Sequence, residues 1–188
     1  MEPTLLTDEE IVSQIVSNRD TQLFEILYER HSGRVYNKCF SFVHENALAE
    51  DLTHDIFLKV YLSLKSFEGR SKFSTWIYSI TYNYCVDTIN LKKKTTQKLE
   101  EYQYDQVSFT EPDDAELFCI QIEVLTKILN TIRPEEKSIL LMKYQDDFSL
   151  QDISDSLGIG LSAVKMRLTR AKQKVVDLYN AKSSHITA

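Results

Sequence analysis

The chain has 188 residues and a formal net charge of −6, with 43% hydrophobic and 27% charged residues. This composition is that of a folded globular protein, and four glycines and three prolines are few for an all-β fold, which needs them in its turns. The acidic balance argues against general affinity for nucleic acid, so any contact with DNA has to be made by a local patch.

Four helices are predicted in the first half of the chain. Thr7, followed three residues later by Glu10, forms a capping box that favours a short first helix. The other three are indicated by apolar residues that recur at intervals of three and four. They are predicted to run from a cap at Thr21 to about Val43, from about residue 47 to 64, and from about residue 73 to 91.

The second half of the chain begins with a stretch of little periodicity and many acidic residues, which predicts a linker. Beyond it, helices are predicted over 115–132 and 134–145, with Pro134 in the first turn of the latter. Ser149 is expected to cap the first of two further helices. The predicted fold is therefore all-α, with two small helical domains, residues 1–95 and 115–188, joined by a flexible acidic linker, residues 96–114.

Residues 149–174, SLQDISDSLGIGLSAVKMRLTRAKQK, have the pattern of a helix-turn-helix, whose second helix can lie in the major groove of DNA. Gly158 falls in the predicted turn, where a positive φ is expected and glycine adopts it cheaply. Ser154 is expected to pack where the two helices cross closely. Five apolar residues are expected to lock the helices together: Ile153, Leu157, Ile159, Val164 and Leu168.

The second helix of this pair is predicted to present a polar face to DNA, opposite an apolar face of Val164, Leu168, Ala171 and Val175. The centre of the polar face would meet base edges while basic residues beside it hold phosphates. The alternative is a solvated basic surface, but the turn, the glycine and the apolar lock favour DNA binding. The predicted face comprises Ser162, Met166, Thr169, Arg170 and Gln173, flanked by Lys165, Lys172, Arg167 and Lys174.

Positive charge also collects earlier, because residues 61–100 contain seven lysines or arginines and only three acidic residues. In this segment Tyr78 and Tyr82 are predicted to lie on the exposed side of a helix and, with Lys92 and Lys93, to suit single-stranded DNA. An equally open alternative is that the two tyrosines pack on a neighbour. The opposite side is expected to form core: Phe73, Trp76, Ile77, Ile80 and Tyr84.

The helix predicted over 47–64 is apolar on two sides. Leu52, Ile56, Val60 and Leu64 form an expected inward stripe. The outward side is interpreted as a docking site for a basic protein partner, although a helix buried on both sides is the alternative. The outward side comprises Leu58, Tyr61 and Leu62, next to Asp51, His54 and Asp55.

No catalytic or metal site is expected, and no cofactor. Glu50, Asp51, His54 and Asp55 have a chelating spacing, but a metal site in a helical bundle needs a matching motif from another helix, and none is present. The sequence contains no GxSxG motif and no P-loop. The chain is therefore not expected to be an enzyme.

The three cysteines, Cys39, Cys85 and Cys119, form no CxxC pair and are interpreted as small buried hydrophobic residues in a reducing cytoplasm. The N-terminal sequence MEPTLLTDEE lacks the basic start and apolar core of a signal peptide. No apolar run is long enough to span a bilayer, so no membrane insertion is expected.

Three segments, in this order, resemble the extracytoplasmic-function group of the sigma-70 family of bacterial RNA polymerase sigma factors, over about residues 24–179. AEDLTHDIFLKVY is similar to the segment that docks on the clamp helices of the polymerase β′ subunit. FEGRSKFSTWIYSITYNYCVDTINLKKK is similar to the segment that opens and reads the promoter −10 element. IRPEEKSILLMKYQDDFSLQDISDSLGIGLSAVKMRLTRAK is similar to the domain that reads the −35 element and binds the β flap.

The resemblance implies a cytoplasmic specificity subunit that binds core polymerase and promoter DNA and is regulated by an anti-sigma factor. It implies −35 contacts from Lys165, Met166, Thr169 and Arg170, with Arg167 near the backbone, and −10 contacts from Asn83 and the loop of Phe67, Arg70 and Ser71. It implies clamp docking by Asp51, His54, Asp55 and Leu58. The acidic linker resembles the connector that follows the RNA path of the polymerase.

Two rival functions remain open from the residues. One is a DNA-binding regulator that uses residues 1–95 for sensing or dimerisation. The other is a helical enzyme that binds metal through Glu50, Asp51 and His54. Binding to core polymerase separates the first from a sigma factor, and elemental analysis separates the second.

Overall fold

The computed structural model describes residues 6–18, 22–96 and 122–184, and within them the regular structure consists of α helices and one turn of 3-10 helix, without β strands. The all-α prediction is therefore confirmed. The predicted cap Thr21, the linker from residue 97 onward and the start of the helix predicted over 115–132 lie outside these residues. The helices are α1 (Asp8–Asn18), α2 (Gln22–Val43), α3 (Asn46–Ser63), α4 (Phe73–Thr96), α5 (Ile122–Leu129), α6 (Pro134–Tyr144), α7 (Leu150–Leu157) and α8 (Leu161–Ser184), with the 3-10 turn at Leu64–Ser66.

The chain divides into two compact units, Met1–Ile89 and Asn90–Ala188. In the first unit, α1 begins with the predicted capping box, since Glu10 Oε2 accepts from the Thr7 amide at 2.8 Å and Thr7 Oγ1 accepts from the Glu10 amide at 3.3 Å. The core of this unit forms where α1 to α4 pack their apolar stripes together. The predicted inward stripe of α3 is confirmed, because Leu52, Ile56, Val60 and Leu64 are all buried.

Helix α4 is longer than the sequence predicted, since it continues beyond residue 91 to Thr96. The added turn contains Lys92, Lys93 and Lys94. Lysine has a good helix propensity, so a run of lysines continues a helix even after its apolar periodicity has ended. The basic run therefore belongs to the same helix as the aromatic residues before it.

The second unit is built from α5 to α8. Pro134 occupies the first turn of α6 as predicted, and the Glu136 carboxylate accepts from the Arg133 amide at 2.9 Å to satisfy the helix start. The core of this unit comprises Ile128, Ile139, Met142, Phe148, Ile153, Val164, Ala171 and Val175. The long α8 thus packs on the three shorter helices along one side and leaves the other side to solvent.

Candidate functional site

The helix-turn-helix predicted over 149–174 is present as α7, a tight turn and α8. Ser149 Oγ accepts from the Asp152 amide at 3.0 Å, and Asp152 Oδ2 accepts from the Ser149 amide at 3.0 Å, so α7 begins with a reciprocal cap. Gly158 ends α7 with a φ of 63°, in the left-handed region that the sequence predicted for it. Ser154 is buried, and its hydroxyl donates to the Ile159 carbonyl at 2.5 Å, which ties α7 to the far side of the turn.

Helix α8 presents the predicted polar face. Its apolar side is confirmed, because Val164, Leu168, Ala171 and Val175 are buried. On the other side Ser162, Lys165, Met166, Arg167 and Arg170 are exposed, while Thr169 and Gln173 are half-buried. The exposed set lies within about two and a half turns of one helix, and a major groove is wide enough to admit an α helix.

The basic rim of α8 is shorter than predicted. Lys172 was expected to flank the polar face, but it is buried, with 6% of its surface exposed. Lys174 Nζ lies 2.9 Å from Glu136 Oε2 in an ion pair with the start of α6. The prediction that Lys172 lies on an exposed basic rim is therefore wrong, and Lys174 forms an ion pair within the second unit.

A cleft of about 430 Å³ lies between the start of α6 and the first half of α8. Three guanidinium groups, those of Arg133, Arg167 and Arg170, line it together with Glu135 and Glu136. Arg133 was not among the predicted site residues. Its position directly before Pro134 marks a helix start, but only the packing of α6 on α8 places it beside Arg167 and Arg170.

The prediction that Tyr78 and Tyr82 are exposed is wrong, since 4% and 0% of their surfaces are accessible. The reason lies on α2, which offers polar partners to both phenols. His31 Nδ1 lies 3.4 Å from Tyr78 Oη, and Lys38 Nζ donates to Tyr82 Oη at 3.3 Å. The Lys38 ammonium also lies 4.6 Å from the centroid of the Tyr78 ring, a cation–π distance. The two tyrosines are therefore core residues.

Three residues of α4 that were expected to form core are partly accessible. Phe73 and Ile77 are buried as predicted, but Trp76, Ile80 and Tyr84 are half-buried, as is Asn83. The Tyr84 hydroxyl donates to Asp55 Oδ2 on α3 at 3.0 Å. Partial burial, followed by the hydrogen bond to Asp55 and its negative charge, raises the pKa of Tyr84 above its ordinary value. Lys92 is exposed, and the side chain of Lys93 lies outside the described residues.

The loop that precedes α4 packs against the core at its first residue, Phe67, and is accessible to solvent at the residues that follow. The Phe67 ring packs against Phe73 and Trp76, with centroids 5.6 and 5.4 Å apart, so Phe67 is half-buried. Gly69 has a φ of 69°, which turns the chain back towards α4. Arg70 is exposed and lies 2.5 Å from the Glu68 carboxylate, and Ser71 is half-buried. The loop thus offers polar groups to a ligand while its aromatic residue holds it to the fold.

The outward side of α3 is accessible, and the alternative of a helix buried on both sides is excluded. Leu58, Tyr61 and Leu62 are among the exposed large hydrophobic residues, and Asp51, His54 and Asp55 are also exposed. The Tyr61 ring packs edge-on against Phe24 of α2, with centroids 5.0 Å apart. The result is an apolar ridge bordered by carboxylates, which has the composition of a protein-binding surface.

Two of the cysteines meet in the core of the first unit. Cys39 and Cys85 are fully buried, as interpreted from the sequence, with their sulfur atoms 3.8 Å apart. A hydrogen bond from Cys85 lowers the pKa of the Cys39 thiol against the opposing effect of burial. Cys119 lies outside the described residues.

Among the described residues, no three side chains of His, Cys, Asp or Glu lie where they could hold a metal ion together. This includes the group of Glu50, Asp51, His54 and Asp55, which the sequence had placed at a chelating spacing. Across the same residues, no helix has the length and apolar character to cross a membrane.

Comparison with known families identifies both units. Residues 27–95 match the family model of sigma-70 region 2, and residues 122–175 match that of sigma-70 region 4. The ECF RNA polymerase sigma factor SigW of Bacillus subtilis is 25% identical over 167 residues, which cover 84% of this chain and 89% of SigW. The RNA polymerase sigma factor YlaC of the same organism is 26% identical over 159 residues, covering 84% of this chain and 91% of YlaC.

Two solved structures have the same fold. The sigma factor RpoE from Bartonella quintana, crystallised with the anti-sigma factor NepR, superimposes with a TM-score of 0.59 at 19% identity, covering 82% of this chain and 95% of RpoE. CnrH, in complex with the cytosolic domain of CnrY, superimposes with a TM-score of 0.62 at 18% identity, covering 93% of this chain and 97% of CnrH.

Proposed function

We propose a division of promoter recognition among three surfaces of this chain, which belongs to the extracytoplasmic-function group of the sigma-70 family. As a sigma factor it acts with RNA polymerase and directs promoter-specific initiation of transcription. Residues 1–95 are proposed to serve as the region 2 domain, 96–114 as the linker, and 115–188 as the region 4 domain.

The −35 element is assigned to the exposed face of α8. The observation that carries the proposal is this face, because a capped helix-turn-helix presents it on an otherwise acidic chain. Lys165 and Arg167 would contact phosphates, and Met166, Thr169 and Arg170 would meet base edges, with Ser162 at the start of the helix. The cleft between α6 and α8 adds Arg133 to the groups that can reach the backbone.

The −10 element is assigned to the open end of the loop and the accessible side of α4. Arg70 and Ser71 offer polar and basic groups at the loop, and the half-buried Asn83 offers an amide on α4. Lys92, further along α4, is a separate candidate for a backbone contact. An amide can hydrogen-bond the pairing edge of an unstacked base, and trapping that base would offset an unstacking cost of about a few kcal/mol. Tyr78 and Tyr82 have no place in this contact because they are buried.

Core polymerase is assigned to the α3 ridge of Leu58, Tyr61 and Leu62, with Asp51, His54 and Asp55 beside it. Each of the two DNA contacts would be weak alone, because the chain is acidic overall. When the chain is tethered to core polymerase, both DNA surfaces act at a high effective concentration, which raises the overall affinity without any new contact. An acidic chain with local basic patches therefore avoids DNA until it is assembled.

An anti-sigma factor is proposed as a further partner, because the solved structures of RpoE and CnrH are complexes with NepR and with the cytosolic domain of CnrY. The chain is proposed to work in the cytoplasm, where bacterial RNA polymerase acts, and to catalyse no reaction of its own. The acidic linker is proposed to follow the RNA path of the polymerase.

Reconstituted transcription tests the proposal. Purified chain and core polymerase are mixed with a pool of genomic promoter fragments, and the 5′ ends of the transcripts are sequenced. We expect transcripts that depend on the chain and share two upstream elements, and we expect the Lys165→Ala/Arg170→Ala double variant to lose them while still binding core. Absence of any complex with core polymerase would instead favour the free DNA-binding regulator. Metal in stoichiometric amount by elemental analysis would favour the enzyme.

A further inference from the structure

Helix α1 lies outside residues 27–95, the part of the first unit that matches the family model, yet it makes a specific contact with α4. Glu9 Oε1 accepts a hydrogen bond from the Phe73 amide at 2.8 Å. Phe73 is the first residue of α4 and lies two residues after the loop at 67–71. A residue of the first helix therefore satisfies the start of a helix 64 positions later in the chain.

The start of α4 needs this contribution from elsewhere. The Lys72 carbonyl accepts from the Trp76 amide at 3.1 Å, which makes Lys72 the residue at the N-cap position. A lysine side chain has no acceptor and cannot bind the free amides of the first turn. Its positive charge is also unfavourable at the positive end of the helix dipole. The Glu9 carboxylate supplies both the acceptor and the negative charge that Lys72 lacks.

The neighbouring residue holds α1 in the register that this contact requires. Asp8 Oδ1 accepts from Arg30 Nη1 at 2.7 Å, and Asp8 Oδ2 lies 2.7 Å from His31 Nε2. Arg30 Nη1 also donates to the Leu6 carbonyl at 2.9 Å. Ile11 and Val12, which belong to α1, are buried in the core. Two successive acids thus fasten α1 to α2 and to α4.

We infer that Glu9 is a positioning residue for promoter opening. It fixes the first turn of α4, and through it the loop at 67–71, without touching DNA itself. This inference rests on the proposed role of the loop and α4 at the −10 element. Core binding is assigned to α3 and −35 binding to α8, so loss of the Glu9 contact should affect opening and leave the other two steps unchanged.

The test compares Glu9→Ala, Glu9→Gln and Glu29→Ala in the full chain. The glutamine amide oxygen can accept the same hydrogen bond, and Glu29 is an exposed acid on α2 whose loss makes the same change in net charge. With core polymerase and a promoter that carries a fluorescent base in its −10 element, we expect Glu9→Ala to lower the yield of open complex by roughly fivefold, which corresponds to the typical cost of losing a helix cap. Glu9→Gln and Glu29→Ala should stay within about twofold of the natural chain.

Core affinity is measured in parallel by fluorescence anisotropy, and amide hydrogen exchange is measured on the free chain. Faster exchange over residues 67–77 in Glu9→Ala, with core affinity unchanged, supports the inference. Normal opening by Glu9→Ala, an equal loss of core affinity, or a Glu9→Gln defect as large as that of alanine would overturn it. If the natural chain itself opened no promoter, the proposed function would fail, and exchange in the free chain would still decide whether Glu9 positions the loop.

Discussion

Replacing Leu62 by alanine separates the proposed polymerase surface from the fold. Leu62 lies on the outward side of α3, where 74% of its surface is exposed, whereas Leu64, two residues later, is 3% exposed. The two side chains are chemically identical and differ in what covers them. The pair therefore offers a test of the α3 ridge in which one variant serves as the control for the other.

The expected magnitudes follow from these exposures. Full burial of a leucine side chain is favourable by about 1.5–3 kcal/mol. Since about three quarters of Leu62 remains to be buried by a partner, its truncation should cost roughly 1–2 kcal/mol of binding, or about five- to thirtyfold in core affinity. The same change should alter the free energy of unfolding by less than about 0.5 kcal/mol, as for other surface substitutions. Leu64→Ala should instead destabilise the fold by about 2–5 kcal/mol.

Affinity for core polymerase is measured by fluorescence anisotropy, and unfolding is followed by circular dichroism in urea. If the α3 ridge binds core polymerase, Leu62→Ala should lower core affinity without lowering stability, and Leu64→Ala should lower stability. Core affinity within twofold of the natural chain for Leu62→Ala would refute the assignment of this ridge to polymerase. A stability loss of more than about 1 kcal/mol for Leu62→Ala would refute the exposure on which the estimate depends.

Three further predictions concern other parts of the chain. Burial opposes ionisation of Asp8, but the hydrogen bonds and positive charges of Arg30 and His31 outweigh it and lower the pKa of Asp8. The ionised carboxylate therefore stabilises the fold at pH values above its ordinary pKa of about 3.8, and this stabilisation is lost as the pH falls through the lower folded pKa. The natural chain should be more stable than Asp8→Asn at pH 6, and urea titrations should show this difference in unfolding free energy shrinking towards pH 3. Gly158→Ala should destabilise by about 1–2 kcal/mol in the same assay, because the new Cβ meets no atom within 4 Å and only the positive φ opposes it; an unchanged midpoint would contradict this. Lys165→Ala should weaken holoenzyme binding to all −35 sequences alike and reduce the salt slope by about 1, whereas a change in sequence preference would contradict a phosphate contact.

The local signals in the sequence predicted the helix ends well. Thr7 with Glu10 forms the capping box that was expected, and Ser149 caps α7 as expected, with Asp152 completing a reciprocal cap. Gly158 adopts the left-handed conformation because the turn alone demands it. The apolar face of α8 was also predictable, since one run of residues at helical spacing defines it.

The burial predictions that proved wrong concern side chains whose exposure depends on the packing of one helix against another. Helix α4 has aromatic residues on every side, so its own periodicity did not settle which side faces inward. The choice depends on α2, where His31 and Lys38 provide partners for the phenols of Tyr78 and Tyr82. The burial of Lys172 likewise depends on the packing of α8 within the second unit rather than on the sequence of α8 itself. Neither of these packing arrangements can be predicted from the sequence of a single helix.

The burial of the two tyrosines changes the physical basis proposed for promoter opening. Base stacking on an exposed aromatic ring contributes about 1–3 kcal/mol, and Tyr78 and Tyr82 cannot supply it from the core. The Trp76 side chain is half-buried, and its ring packs against the rings of Phe67 and Phe73. Capture of an unpaired base on this surface then depends on hydrogen bonds from fixed positions in the loop and α4, and such bonds tolerate little movement. On the proposed assignment, such a surface would require a rigid first turn of α4, which is the role inferred for the contact from Glu9.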